Sequence, residues 1–445
     1  MNAKGKVFST VYGKNLPVIA RGEGIYLYDE AGREYMDSCA GIAVVSIGHG
    51  RQEIALQMAE QAKKIAYCAP NHFENVVSRE FAEELATVAL DELKNFFFTS
   101  GGSENNESIM KFIRQYFIIK GEMKRHLFIS RNLSFHGATL GALSLCGVKE
   151  RTRDYESMLL QFPKIPAAFC YHCYYEKSYP SCGIECAKAL ENAIIKAGPE
   201  NVAGFFAEPV VNTVGAIVAP KEYFNIVSSI CKKYGVIYVD DEVITGFGRL
   251  GKWFGIEHWK DVVPDIISCG KGVSGGYSPL GVCMISDKIA GVYEEKNILT
   301  THLITFQSNP LSAMAGLATF KIFKKEEIVE HAAEMGNLFH QEAKKLMEYK
   351  IVGDVRGLGM ILGVEIVADK KTKKSFAAEK EVSKKMFNAA KKEGFIVYAG
   401  RVAVNNDYVD YFQMFPPLII TEDQIMDLLK RVGRAISTVE KELLG

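Results

Sequence analysis

The 445-residue chain reads as an α/β protein with a mostly parallel central sheet and helices on both faces, plus a smaller α+β domain built from the two chain ends. Two features predict this. Between about residues 94 and 290, short apolar runs alternate with stretches of helical spacing, which is how buried strands joined by covering helices read. After Pro310 two long helical stretches follow, and then a different, smaller mixture of strand and helix. The expected division is 1–60 as an N-terminal segment packing with the small domain, 61–315 as the large domain and 316–445 as the C-terminal small domain.

Taken in order, Gly24–Gly32 reads as two β runs joined by an acidic turn. Amphipathic helices are predicted at about 52–66 and 79–92. Leu93–Thr99, Leu127–Ser130, Ala203–Glu208, Val236–Asp240, Asp265–Cys269 and Gly281–Ile285 are short apolar runs bounded by polar or turn residues, hence buried strands. Tyr223–Tyr234 has helical spacing. Helices are expected from Pro310 to about 324 and over 328–349, a strand at Leu362–Val367 and a helix at Glu379–Glu393. A last helix opens on the capping box Thr421-Glu-Asp-Gln424. The Lys- and Asp-rich stretch Asp369–Lys374 is a solvated turn.

Lys plus Arg equals Asp plus Glu at 53 each, so no global field favours nucleic acid or an anionic membrane. No apolar stretch approaches the roughly 18 residues of a membrane span, and the opening Met-Asn-Ala-Lys-Gly-Lys-Val lacks a signal peptide's apolar core. Ten scattered cysteines suit reduced thiols better than a disulfide framework. The expectation is a cytoplasmic protein with a small-molecule partner and neither a nucleic-acid nor a membrane partner.

Four segments carry candidate chemistry. Lys271 stands among small residues in Ser-Cys-Gly-Lys271-Gly, thirty residues after Asp241 closes the apolar run from Val236. An amine able to form a Schiff base and a carboxylate able to face a ring nitrogen are what pyridoxal phosphate requires. Read singly, they are equally a loop lysine and a capping acid. In Phe96-Phe-Phe-Thr-Ser100-Gly101-Gly102-Ser103-Glu104 a strand meets a glycine turn and a helix start, either a plain turn or a phosphate site at the helix amides. Ser103 there suits both a helix cap and a phosphate donor. Phe135-His136-Gly137 offers an aromatic ring for stacking or for the core, and Glu208 ends an apolar strand where open sheets bind ligands.

Together these segments resemble the class III aminotransferases, pyridoxal-phosphate enzymes of fold type I. The resemblance rests on Asp241-Glu242-Val-Ile-Thr-Gly246-Phe-Gly-Arg249, Gly270-Lys271-Gly, Pro279-Leu-Gly281, Phe135-His136-Gly137, Glu208-Pro209, Thr305–Pro310 and Pro416-Pro417-Leu, which span nearly the whole chain. It implies that Lys271 binds the cofactor and moves the substrate proton, and that Asp241 pairs with the pyridine nitrogen. Gly101, Gly102 and Ser103 would hold the phosphate, with Phe135 stacking on the ring, His136 beside it and Glu208 on the substrate side. Thr305 would reach the phosphate across a homodimer interface, a tetramer being left open.

The family's activity would be transfer of an amino group from an amine donor to a keto acid in two half-reactions. Mutase, epimerase and decarboxylating relatives share the scaffold, as would a catalytically silent member. A dehydrogenase is disfavoured because no Gly-x-Gly-x-x-Gly opens a βαβ unit. Ile244, three residues after Asp241, replaces the glutamine of the ornithine and 4-aminobutyrate branches. Together with Gly251–Trp259 it resembles branches that use ω-amino acids or amines with pyruvate. The arginine slot three residues before Pro416 is Gln413, and Arg401 is the candidate replacement clamp. Thr301–Thr305 departs from the family's small-residue/His pattern. Finally, Cys170-Tyr-His172-Cys173 and Cys182-Gly-Ile-Glu-Cys186 have zinc-like spacing, but free thiols are the default and no metal is expected.

Overall fold

The computed structural model describes residues 16–445. The part of the expected 1–60 segment before residue 16 therefore lies outside the described residues. An antiparallel three-stranded sheet comes first, made of β1 (Ile19–Glu23), β2 (Tyr26–Asp29) and β3 (Glu34–Met36). Met36 then pairs with Phe395 near the other end of the chain. Its amide donates to the Gly394 carbonyl at 2.9 Å and its carbonyl accepts from the Ile396 amide at 3.0 Å.

The central sheet has seven strands. They are β4 (Asn95–Thr99), β5 (Leu127–Arg131), β6 (Lys164–Ile165), β7 (Val202–Ala207), β10 (Ile237–Glu242), β11 (Ile266–Cys269) and β12 (Gly281–Ile285). The short ribbon β8 (Val210–Val211) and β9 (Ile217–Val218) lies between β7 and β10 in sequence. The spatial order is β4-β12-β11-β10-β7-β5-β6, and only β12 runs against its neighbours. Both faces are buried because side chains alternate along each strand. Phe206, Ile237, Val239 and Ile266 pack with Ile109, Ile113 and Phe117 of the helix Gly102–Ile119. Phe205, Tyr238 and Ile267 belong to the larger core with Phe224 and Val227 of the helix Tyr223–Tyr234. The C-terminal ends of β4, β5, β7, β10 and β11 consequently share one edge of the sheet, where a crevice forms.

A second antiparallel sheet, ordered β13-β14-β16-β15, comprises β13 (Val352–Leu358), β14 (Ile361–Ile366), β15 (Tyr398–Val404) and β16 (Asp407–Met414). The helix Val382–Lys392 packs against β15 and β16, and the helix Glu422–Leu444 packs in turn against Val382–Lys392 and against the helix Ile328–Ala343. The Thr421 capping box is present, Thr421 Oγ1 accepting from the Gln424 amide at 3.3 Å. The turn Asp369–Lys374 closes through an antiparallel bridge.

Candidate active site

Asp241, Lys271, Gly101, Gly102, Ser103, Phe135, His136 and Glu208 converge on one cavity of about 310 Å³ at the crevice. Register explains the central pair. On β10, Ile237, Val239 and Asp241 point to the face covered by the helix Gly102–Ile119, while Tyr238, Asp240 and Glu242 point to the other. Asp241 sits opposite Ser268 of the parallel strand β11, and the chain reaches Lys271 just past that strand's end.

The glycine turn closes one wall. Gly102 begins the helix, so the first-turn amides of Gly102, Ser103 and Glu104 have no intrahelical acceptor and are available to an anion. A Cβ on Gly102 would lie 2.7 Å from Val243 Cγ2, so a side chain there would push this helix end away from β10. The expected cap is corrected here: Gly101 occupies the N-cap position, and the Ser103 hydroxyl instead accepts from the Ala138 amide at 3.0 Å. That bond draws the Phe135–Gly137 loop onto the helix. Gly137 is required because its φ is +139° and a Cβ would meet Ser103 Oγ at 2.7 Å.

Behind the cavity runs a buried chain of alternating charge. Asp241, 4% exposed, accepts at Oδ2 from His136 Nδ1 at 2.8 Å and from Asn106 Nδ2 at 2.9 Å. Its Oδ1 accepts from the Val243 amide at 3.1 Å. His136 Nε2 lies 3.8 Å from Glu208 Oε2, which accepts from Arg131 Nη2 at 2.9 Å. Burial alone would lower the His136 pKa, but the charges of Glu208 and Asp241 outweigh it and raise the value, favouring the imidazolium. Burial opposes ionisation of Glu208, yet His136, Arg131 and the Phe135 amide hold its pKa below the ordinary range. On the opposite face Asp240 and Glu242 are both raised by burial and Asp240 well above its usual value, so this pair retains a proton.

Lys271 adopts a left-handed backbone (φ 47°) within a short turn of 3-10 helix, an unusual conformation for a residue with a side chain. Burial lowers its pKa from 10.5 to about 8. Asp241 opposes the shift and Arg249 adds to it. The neutral amine that nucleophilic and proton-transfer roles require is therefore far more accessible near neutral pH than on an exposed lysine.

Arg401 is not among the cavity-lining residues. Its guanidinium pairs with the Asp410 carboxylate and donates to the Phe376 carbonyl at 3.0 Å, because β15 and β16 bring Arg401 and Asp410 into cross-strand register. Thr305 is exposed and lies outside the cavity of its own chain. All ten cysteines are free thiols. Among the described residues no group of three or more Cys, His, Asp or Glu has metal-holding geometry, and His172 pairs with Glu365 at 2.5 Å. Three side chains in this region escaped the sequence reading. Asn106 secures Asp241 and also donates to the His136 carbonyl at 2.6 Å. Its signal was the pair of adjacent amides Asn105-Asn106 in the first turns of a helix whose later buried positions are mostly apolar. Arg131 and Asn212 gave none, since a polar residue at a strand end is ordinary.

The family model of the class-III aminotransferases matches residues 8–436. The chain belongs to the class-III aminotransferases. A probable aminotransferase, Rv3329, of Mycobacterium tuberculosis is 35% identical, with 95% of this chain and 90% of that protein covered. A taurine–pyruvate aminotransferase of Bilophila wadsworthia is 31% identical, covering 96% and 93%. Among solved structures, a transaminase from the marine bacterium Virgibacillus superposes with a TM-score of 0.91 at 34% identity, covering 99% of this chain and 97% of that one. The ω-transaminase of Pseudomonas jessenii, solved with PMP, gives 0.88 at 30% identity, covering 96% and 94%. Class-III aminotransferases depend on pyridoxal phosphate, and the sheet order and crevice described above are those of fold type I.

Proposed function

We propose that this class-III aminotransferase binds pyridoxal phosphate at the crevice and transfers an amino group from an ω-amino acid or primary amine to a keto acid, pyruvate foremost. The observation that carries this reading is the convergence of the Lys271 amine and the Asp241 carboxylate on one cavity, with free helix amides along its wall. The residues fit the cofactor. The amides at Gly102 and Ser103 and the close approach allowed by Gly102 suit a phosphate, the Phe135 ring suits stacking, and Asp241 retains acceptor capacity at Oδ1. Bound there, pyridoxal phosphate supplies an aldehyde for the donor nitrogen and an electron-withdrawing ring that acidifies the donor's C–H bond.

The side chains then act on protons and orientation. Asp241, held at Oδ2 by His136 and Asn106, keeps a proton on the ring nitrogen through its negative charge. Lys271 Nζ, in its neutral form, would be the base that removes the proton from the donor's amino-bearing carbon. Glu208, tied to Arg131 and the Phe135 amide, fixes the wall against which the donor rests. Ile244 makes part of that wall apolar. Both the apolar wall and the likeness to a taurine–pyruvate enzyme support ω-amino donors with pyruvate.

A homodimer completes the site in this reading, Thr305 of one copy reaching the phosphate of the other. Its exposure supports this, as do the neighbouring exposed apolar side chains Leu299, Leu303, Phe306, Phe73 and Val76. The assignment of 61–315 to a cofactor domain and of 1–60 with 316–445 to a small domain is supported by the Met36–Phe395 pairing. Free thiols throughout suit a reducing compartment such as the cytoplasm. The test is to incubate the holoenzyme with β-alanine or n-propylamine and pyruvate, expecting alanine in amounts equal to donor consumed. Rearrangement of the donor, or racemisation of a single-enantiomer amino acid supplied in its place, without formation of alanine would instead mark a mutase or epimerase, and no change in any donor a silent protein.

A further inference from the structure

We propose that His302 is a positioning residue: it seats the loop 299–308 on the helix Gly102–Ile119, so that Thr305 is held out toward the cofactor phosphate of a second copy of the chain. This rests on the reading above in which Thr305 completes that copy's site. An exposed loop that must place one hydroxyl on a ligand in another subunit needs fixed points on both sides of it, because ordering a free loop costs conformational entropy at the moment of contact. Both points are present. On the far side the Ser308 amide donates to the Phe98 carbonyl of β4 at 3.4 Å, and the Ser308 carbonyl accepts from Asn75 Nδ2 at 2.9 Å.

On the near side three residues of the helix face the loop. Ser108, Lys111 and Gln115 follow one another at helical spacing along one stripe of its surface. Gln115 accepts at Oε1 from the Thr301 amide at 3.3 Å and donates through Nε2 to the Leu299 carbonyl at 3.1 Å. His302 Nε2 lies 2.7 Å from Ser108 Oγ, and its Nδ1 lies 3.4 Å from Lys111 Nζ. The imidazole is flanked by Phe97 of β4, with ring centres 5.9 Å apart, and by Phe112 of the helix at 5.6 Å. Leu303 and Thr305, just beyond this anchor, are exposed.

The hydrogen bonds fix the state of the ring. The Ser108 hydroxyl donates its one proton to the Glu104 carbonyl at 2.7 Å, so toward His302 it accepts, and Nε2 carries the imidazole proton. Nδ1 is then the acceptor that faces the Lys111 ammonium. Burial and the charge of Lys111 agree with this neutral form, lowering the His302 pKa against the opposing pull of Glu104 and Glu107. Those two acids are occupied, Glu104 by the Ser100 amide at 2.8 Å and Glu107 by the Gly141 amide at 2.8 Å. A neutral group with a donor toward Ser108 and an acceptor toward Lys111 is also what a glutamine amide offers. The helix carrying this brace begins at Gly102, which lines the cavity of its own chain. One rigid element thus serves its own site at one end and the second copy's site through the loop.

The test is a double-mutant cycle read by cofactor retention rather than turnover. Wild type, Thr305→Ala, His302→Ala, His302→Gln and the double variant Thr305→Ala/His302→Ala are dialysed to equilibrium as holoenzymes in mildly alkaline buffer. The Kd of pyridoxal phosphate is taken from the absorbance retained, and sedimentation velocity reports the assembly. Thr305→Ala and His302→Ala should each raise this Kd about tenfold, the effect of losing a hydrogen bond to a charged oxygen. The double variant should bind no more weakly than Thr305→Ala alone, since the two residues act through one contact. His302→Gln, which keeps both hydrogen-bonding roles, should bind as wild type does. Effects that multiply in the double variant, a His302→Ala with unchanged Kd beside a weakened Thr305→Ala, or a His302→Gln as weak as His302→Ala would each overturn the proposal. A monomeric wild type, or an unchanged Kd in Thr305→Ala, would instead remove the composite-site reading, and the role of His302 with it.

Discussion

Replacing Lys271 by methionine should stabilise the cofactor-free protein, by an amount that depends on pH in a defined direction. The native amine titrates near 8 because the folded chain buries it, whereas the unfolded chain releases that proton only near 10.5. Below pH 8 the native state must therefore carry a poorly solvated charge, and the shift corresponds to about 3 kcal/mol of lost stability. Between pH 8 and 10.5 the unfolded state binds more protons than the native state, so wild-type stability rises across this window and the penalty vanishes above it. Methionine has similar length and no charge, and Asp241 keeps its bonds to His136 and Asn106. Urea denaturation of both cofactor-free proteins at a series of pH values measures the difference. The variant should be more stable by about 2–3 kcal/mol at pH 7, the gap closing towards pH 10.5. A gap that stays constant with pH, or a wild type that is the more stable protein at pH 7, would refute the argument that burial depresses this amine.

Asp241→Asn should lower kcat by roughly 10²- to 10³-fold or more with the fold intact, since it removes the buried charge that keeps a ring nitrogen protonated. The His136 pKa should fall at the same time, which NMR titration of the imidazole can follow; an unmoved His136 would sever the link between the two. Gly102→Ala places a methyl group 2.7 Å from Val243 Cγ2. It should raise the cofactor Kd about tenfold and cost roughly 1–3 kcal/mol of stability, and Val243→Ala added to it should restore part of both losses.

Much of the fold was legible because alternation and turn chemistry are local. The helix Tyr223–Tyr234 and the strand Gly281–Ile285 have the limits their spacing predicts, and the Thr421 capping box starts its helix as read. The predicted helix 79–92 begins earlier, at Val76, because Asn75 caps it by accepting from the Ser78 amide at 2.9 Å. Strands β13, β15 and β16 were not foreseen. Glycines, charges and tyrosines in Val352–Leu358 and Tyr398–Met414 hide the alternation. These strands exist because neighbours distant in sequence complete their hydrogen bonds.

What the sequence determined by itself was the inventory of reactive groups: an amine among small residues, an acid closing an apolar strand, a glycine turn before a helix, and a motif order shared with one family. Their number and spacing persist whatever the fold does. Tertiary structure decided which groups meet and in what ionic state. Cross-strand register gave Arg401 to Asp410, and the helix that starts at the glycine turn brought Asn106, four residues past Gly102, to Asp241. Such pairings depend on strand register, on the approach of segments as far as 135 residues apart and on the exclusion of water from between them, none of which a linear pattern records.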